Sequence, residues 1–124
     1  MILSTFASGL ELLAASNIKE SYISLNLSGQ NLTGTVSPYI GNLTFLMLIN
    51  LQQNNFSGNI PHEIGRLFQL RYIIFNSNTL QGQIPVNLTH CSELRTLDLV
   101  LNKLEGNIPS HWAYSSVTCK SFIS

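Results

Sequence analysis

The chain has 124 residues, of which 44% are hydrophobic and only 10% are charged, and its six basic and six acidic side chains cancel. A chain of this length suits one small domain. A neutral chain without charge runs lacks the electrostatic surface that nucleic acid or an anionic membrane requires. Its two cysteines are too few for a disulfide scaffold, and no stretch approaches the roughly 20 consecutive apolar residues of a membrane span.

Residues 1–21 form an N-terminal flank that precedes the repeated pattern. Phe6, Leu10 and Leu13 have helical spacing, so they predict a short amphipathic helix that caps the structure that follows. The flank lacks a basic beginning, and Glu11 interrupts its apolar run, which makes it a poor signal peptide. The sequence therefore leaves open where this chain is located.

A 24-residue period organises the next part of the chain, where Leu46, Leu70 and Leu94 follow one another at that spacing. An earlier unit fits the same frame through Leu25 and Leu27. The other aligned columns are Ile49/Ile73/Leu97, Leu51/Phe75/Leu99, Asn54/Asn78/Asn102, Phe56/Leu80/Leu104, Gly58/Gly82/Gly106 and Ile60-Pro61/Ile84-Pro85/Ile108-Pro109. Such a fixed period predicts four repeats, followed by a divergent tail at 115–124. The repeats are 22–45, 46–69, 70–93 and 94–114.

Apolar residues alternate after each leading leucine, which predicts short strands that stack into a parallel sheet. The expected strands lie near residues 23–28, 47–52, 71–76 and 95–100. The fold class is therefore an α/β repeat solenoid. We expect a right-handed arc with a parallel β-sheet on its concave face and irregular or 3-10 segments that return along the other side.

The asparagine column is expected to turn the chain inward after each strand, because a buried carboxamide both donates to and accepts from turn backbone. This structural ladder consists of Asn54, Asn78 and Asn102. Glycine and Ile-Pro then end strand pairing. Cys91 shares an apolar column with Leu43 and Leu67, so it is expected to be a core residue.

The repeat resembles the plant-specific leucine-rich repeat, L-x-x-L-x-L-x-x-N-x-L-x-G-x-I-P-x-x-[LI]-G-x-L. Its ending is present as Ile40-Gly41-Asn42-Leu43 and as Ile64-Gly65-Arg66-Leu67. Within that class the chain is similar to the N-terminal ectodomain repeats of plant receptor-like kinases of the pathogen-pattern-receptor type. The segment that carries this likeness is Leu27-Ser28-Gly29-Gln30-Asn31-Leu32-Thr33-Gly34, which resembles the first repeat after their N-terminal cap.

The resemblance implies a non-catalytic module that takes part in ligand perception and signalling, including plant defence. Such receptors place the horseshoe on the extracellular side of the plasma membrane and bind a peptide, a protein or a co-receptor on its inner face. Their membrane span and serine/threonine kinase domain are separate from the repeats. The resemblance implies no cofactor.

Both ends of the chain depart from the family pattern. The paired cysteines usual before the first repeat are absent, and residues 110–120 show no repeat columns. We therefore expect a truncated product or a partial gene model. The alternatives are a stand-alone secreted repeat protein, structural or similar to a polygalacturonase inhibitor, and a non-functional remnant.

The strand register indicates which side chains face the concave side, since alternate residues point to opposite faces. Arg71, Tyr72 and Ile74 form the most distinctive patch, because aromatic and arginine side chains are frequent interface anchors. The candidate ligand-binding residues are Leu48, Asn50, Gln52, Arg71, Tyr72, Ile74, Asn76, Thr96 and Asp98. Ser24, Asn26, Ser28 and Val100 occupy the same columns.

Five N-x-[ST] sequons are candidate N-glycosylation sites, because each asparagine falls on a column expected to point outward. Their asparagines are Asn26, Asn31, Asn42, Asn55 and Asn87. Occupancy would place the protein in the secretory pathway.

No motif in the sequence predicts an enzyme or a metal site. His62, His90 and His111 lie in return segments without the tight ligand cluster that a metal needs. The sequence contains no nucleophile motif, phosphate loop or kinase signature, and the chain is too short for a kinase domain. A disulfide between Cys91 and Cys119 is not expected, because a core column and a divergent tail rarely meet at bridging distance.

The ends of a solenoid need cover, because each repeat buries its apolar face against a neighbour. The residues after Pro109 offer only Trp112 and Tyr114 to finish the fourth repeat. We therefore expect Leu99 and Leu104 to be partly open to water. An isolated chain of this kind would be marginally stable and prone to associate through its strand edges.

Overall fold

The computed structural model describes residues 18–19 and 22–121. The helix predicted from Phe6, Leu10 and Leu13 lies outside these residues. Within them, short strands and 3-10 helices follow one another in a repeating order. No helix of this part of the chain is long and apolar enough to cross a bilayer.

The larger sheet carries the concave face. Its strands are β1 (Ile18–Lys19), β2 (Tyr22–Asn26), β4 (Leu48–Asn50), β6 (Tyr72–Ile74), β8 (Thr96–Asp98) and β10 (Thr118–Lys120), and they lie side by side in that order. All pairs are parallel except β1 with β2, so β1 covers the N-terminal edge of the sheet. The four predicted strands are confirmed as β2, β4, β6 and β8, although each is shorter than predicted.

A second parallel sheet forms where the sequence predicted irregular return segments. Its strands, in spatial order, are β3 (Thr33–Thr35), β5 (Asn55–Asn59), β7 (Thr79–Gln83) and β9 (Lys103–Glu105). β5, β7 and β9 each bury one apolar residue between more polar neighbours, as Phe56 lies between Asn55 and Ser57, whereas β3 buries none. That alternation is too short to be recognised in the sequence.

Four 3-10 helices close the repeats, as predicted for the return segments. They are η1 (Pro38–Asn42), η2 (His62–Arg66), η3 (Val86–His90) and η4 (Ser110–Tyr114). A Cβ on Gly41 would meet the Glu63 carbonyl oxygen, and one on Gly65 would meet the Asn87 carbonyl oxygen. Glycine therefore allows η1, η2 and η3 to stack closely. In η3, Thr89 occupies the position that corresponds to Gly41 and Gly65. The close packing seen between η1 and η2 and between η2 and η3 does not recur between η3 and η4.

One continuous core fills the space between the two sheets and the 3-10 helices. The inward residues of the four predicted strands are at most 3% exposed, as the repeat pattern predicts. Those residues are Leu25, Leu27, Ile49, Leu51, Ile73, Phe75, Leu97 and Leu99. Cys91 is 3% exposed and packs in the same core.

The asparagine column joins successive turns. The Asn54 carboxamide donates to the carbonyl oxygens of Leu27 at 2.8 Å and Leu51 at 3.0 Å, and it accepts from the Leu32 N–H at 3.0 Å. Asn78 and Asn102 repeat this pattern one and two repeats further on. Of the three side chains only that of Asn78 is fully buried, at 7% exposed, and the other two are half-buried.

The expectation that Leu99 and Leu104 would be open to water is wrong, since they are only 1% and 7% exposed. β10 extends the larger sheet beyond β8, with Cys119 opposite Leu97, and the Leu99 N–H donates to the Lys120 carbonyl oxygen at 2.7 Å. That pairing joins residues 22 apart, two fewer than the period, so the 24-residue frame did not reveal the strand. Trp112, at 6% exposed, belongs to the same core, and Val117 and Cys119 pack against that core.

Candidate functional site

The concave face is a set of side-chain ladders across parallel strands, with neighbouring rungs about 4.8 Å apart. The first ladder places Leu48, Tyr72 and Thr96 directly opposite one another, and the second places Asn50, Ile74 and Asp98 likewise. All six side chains are half-buried. The structure therefore brings most of the predicted ligand-binding residues onto one surface.

Side chains of the second ladder form hydrogen bonds with backbone at the ends of β2, β4 and β8. The side-chain Oδ1 atoms of Asn26, Asn50 and Asp98 accept hydrogen bonds from the N–H groups two residues further along the chain, at 3.3, 3.1 and 3.3 Å. Asn and Asp side chains commonly satisfy local backbone in this way. In three of the four repeats, therefore, the side chain of the second ladder accepts from a backbone N–H group that has no other acceptor among the described residues.

Ile74 interrupts this arrangement in the third repeat, because its side chain has no acceptor. The N–H of Asn76 consequently has no acceptor among the described residues. The Oδ1 atom of Asn76 is also buried and has no hydrogen-bond partner there. A buried polar group without a partner costs about 1–3 kcal/mol, which applies to this oxygen atom. The third repeat thus has an unpaired backbone N–H two residues after the apolar Ile74.

Arg71 lies apart from these ladders, although the sequence grouped it with Tyr72 and Ile74. It lines a shallow groove along the edge where the strands begin, together with Met47, Phe68 and Glu93. Phe68 is 55% exposed there. Arg71 therefore borders the candidate site at the start of β6.

β10 adds residues to the concave face that the sequence did not predict. Thr118 lies opposite Thr96 and Lys120 lies opposite Asp98, and both added side chains are exposed. A search that allowed a repeat of 22 residues would have aligned them with these columns. The face therefore continues beyond the fourth repeat.

The two ladders carry the charged side chains of Asp98 and Lys120 and are otherwise polar or apolar across β4, β6 and β8. The His62 imidazole lies 3.5 Å from the Glu63 carboxylate, outside the concave face. Burial raises the pKa of the Cys91 thiol to about 11 and also raises the pKa of Cys119. A neutral, buried thiol is a poor nucleophile and a poor metal ligand. Hydrogen bonding and apolar contact are what the arrangement offers.

The cysteines and histidines do not assemble into a second site. Cys91 and Cys119 are both free thiols. No group of three or more His, Cys, Asp or Glu side chains that could hold a metal ion occurs among the described residues.

Comparison with known proteins agrees with the repeat architecture. The family model "Leucine Rich Repeat" matches residues 23–43 and 45–67. The complex of PEPR1 with AtPEP1 is similar over 75% of this chain, with 35% identity and a TM-score of 0.70. The plant peptide hormone receptor RGFR1 in complex with RGF2 is similar over 81%, with 30% identity and a TM-score of 0.75. No curated protein matches the sequence.

A third similar structure is the leucine-rich repeat ectodomain of the receptor kinase SOBIR1 from Arabidopsis thaliana, with 29% identity over 81% of this chain and a TM-score of 0.72. The chain spans 14%, 17% and 54% of the lengths of these three proteins, in the order given. The repeat columns, the stacked parallel strands and these likenesses agree with one another. Residues 23–43 and 45–67 match the leucine-rich repeat family, and the described part of the chain has the fold of plant receptor kinase ectodomains.

Proposed function

We propose that this chain is a non-catalytic recognition module from the extracellular part of a plant receptor kinase, and that its concave face binds a peptide or protein ligand. One similar structure is described as PEPR1–AtPEP1, a second as a plant peptide hormone receptor in complex with RGF2, and a third as a receptor kinase ectodomain. Those descriptions support an extracellular location for this chain. They also support a peptide, a protein or a co-receptor as its partner.

The single observation that carries the proposal is the open backbone donor at Asn76. The N–H of Asn76 lies where Ile74 replaces the acceptor side chain found in the other repeats. A peptide carbonyl oxygen in this position would accept from that N–H, while an apolar ligand side chain would pack against Ile74 and Tyr72. An extended peptide suits a ladder of parallel rungs, because its own side chains recur at similar intervals.

A displayed library of short random peptides, selected against the full chain, tests the proposal. The key variant is Ile74→Asn, which supplies the acceptor that Asn26 and Asn50 supply in their repeats and removes the apolar contact. The matched control is Ile74→Val, which keeps the apolar surface and leaves the N–H open. We expect the selected peptides to bind Ile74→Asn at least about tenfold more weakly than the wild-type chain, a change of about 1.4 kcal/mol.

The control should retain affinity within about threefold, because Val differs from Ile by one methylene. A selection that yields no binder would contradict the proposal. Binders that recognise Ile74→Asn as tightly as the wild-type chain would contradict it as well.

A further inference from the structure

The five sequons are not spread evenly over the folded chain. Four of their asparagines are exposed, and all four belong to the first two repeats. These are Asn26, Asn31, Asn42 and Asn55. The fifth, Asn87, is half-buried in the third repeat. We propose that N-linked oligosaccharide covers the first two repeats of this protein and leaves the third repeat, the fourth repeat and β10 bare. This inference rests on the extracellular location in the proposed function.

The middle residue of each sequon explains why the acceptors project outward. Each of the five middle residues is a core side chain, at most 4% exposed. They are Leu27, Leu32, Leu43, Phe56 and Leu88. In β5 the alternation is direct, since Phe56 points into the core while Asn55 and Ser57 on either side are exposed. The core thus holds the acceptor carboxamide and the hydroxyl two residues later on the solvent side.

Asn42 and Asn55 are the best placed acceptors. Asn42 is exposed at the end of η1, and Thr44 two residues later is exposed in the turn that follows. Neither side chain forms a hydrogen bond with another described residue, so a bulky sugar at Asn42 disturbs no contact. Asn55 lies at the start of β5, and its own side chain is likewise without a partner there. Its backbone N–H, which modification leaves untouched, donates to the Leu32 carbonyl oxygen at 2.8 Å.

Asn87 differs because it is half-buried and lies within the stack of 3-10 helices. Its carbonyl group and Cβ lie directly against Gly65 of the preceding helix. The hydroxyl of Thr89, which completes the sequon, donates to the Val86 carbonyl oxygen at 2.7 Å. Asn87 and Thr89 are both half-buried and the Thr89 hydroxyl is already paired, whereas the groups of the Asn42 and Asn55 sequons are exposed, so we expect no sugar at Asn87.

The transfer itself is balanced and redox-neutral. A bond forms between the asparagine Nδ2 and the anomeric carbon of an oligosaccharide carried on a lipid pyrophosphate. The bond from that carbon to the pyrophosphate oxygen breaks, and the lipid pyrophosphate leaves with the electron pair. The carboxamide nitrogen loses one proton. The product is bulky and polar, which suits an exposed surface and excludes a protein partner from it.

The consequence concerns where a partner can approach. The bare region contains Tyr72, Ile74 and the open N–H of Asn76, and it continues through Thr96 and Asp98 to the exposed side chains of β10. Sugar on the first two repeats would therefore direct a ligand toward the third repeat.

The test is site mapping on the full chain, directed by an added cleavable signal into the secretory pathway of plant cells. A peptide-N-glycosidase hydrolyses the amide bond of each glycosylated asparagine. In heavy-oxygen water this reaction leaves a labelled aspartate, which peptide mass analysis locates. We expect label at Asn42 and Asn55 and none at Asn87. Thr44→Ala and Ser57→Ala should each remove the mass of one glycan, because they delete the sequon hydroxyl and leave the asparagine. Asn59→Gln, an exposed asparagine of β5 outside any sequon, should remove none.

A secreted chain without label at Asn42 and Asn55, or with label at Asn87, would overturn the inference. A further variant separates this result from the proposed function. The double variant Thr118→Asn, Lys120→Thr makes a sequon at an exposed position of β10 on the concave face, opposite Thr96 and Asp98, and a glycan there should abolish binding of the selected peptides. If the glycan map fails while that added sugar still blocks binding, the inference is wrong and the proposed function stands. If the map holds and the added sugar leaves binding intact, the concave-face proposal is wrong instead.

Discussion

The side-chain oxygen of Asn78 accepts a hydrogen bond from the backbone N–H of Phe56, a residue of the preceding repeat, at 3.0 Å. The same carboxamide donates to the carbonyl oxygens of Leu51 at 2.9 Å and Phe75 at 3.0 Å. One side chain therefore closes the turn of its own repeat and fastens the repeat before it.

Replacing Asn78 with alanine should lower the free energy of unfolding by about 1–3 kcal/mol, because buried backbone groups lose their partners. Urea unfolding followed by circular dichroism measures the change. Asn55→Ala is the matched control, since that side chain is exposed, and it should stay within about 0.5 kcal/mol of the wild-type chain. Equal stabilities for the two variants would refute the role of the ladder.

The close stacking of the 3-10 helices gives a second prediction. Gly65→Ala places a Cβ against the carbonyl group of Asn87, which is backbone and cannot move aside cheaply. We expect a loss of about 1–3 kcal/mol, as for overpacking in a core. Thr89→Ala changes the same column where no helix stacks closely, so it should cost about 1 kcal/mol or less. Thermal melts of both proteins decide the matter, and a Gly65→Ala melt that matches the wild type would be inconsistent with the stacking.

The buried thiol of Cys91 predicts how stability depends on pH. Its pKa rises from 9.0 to about 11 on folding because burial disfavours the thiolate. Between these values the folded chain keeps a proton that the unfolded chain loses, so the free energy of unfolding should fall as the pH rises through that window. Cys91→Val removes this contribution, and the stability difference between the two proteins should change between about pH 8 and pH 11. A pH-independent difference would show that the thiol ionises equally in both states.

The sequence predicted most of the fold because the inward columns determine both strand position and register. Leu97 and Ile73 could be aligned by eye, and the structure pairs them directly. The second sheet was not predicted because a strand such as β9 has a single inward residue, Leu104, and therefore no recognisable alternation. β10 was not predicted because its residues pair with residues of β8 that lie 22 positions earlier, not 24.

The candidate site was only partly visible in the sequence. The column of Asn50, Ile74 and Asp98 could be named, but the sequence does not show that two of these side chains accept from backbone N–H groups. The open donor at Asn76 follows only from that geometry. The sequence grouped Arg71 with Tyr72 because both residue types are frequent interface anchors, whereas the structure places the arginine in a groove at the start of the strands.

The central claim is that a ligand binds the concave face at the open amide of Asn76. Nuclear magnetic resonance of the nitrogen-15-labelled chain, titrated with a selected peptide, tests it most directly. We expect the Asn76 amide resonance to shift and its hydrogen exchange to slow on binding, while the internally paired amides of Gln52 and Val100 change less. Shifts confined to the second sheet, around Ser57 and Gln81, with the Asn76 amide unchanged, would contradict the account.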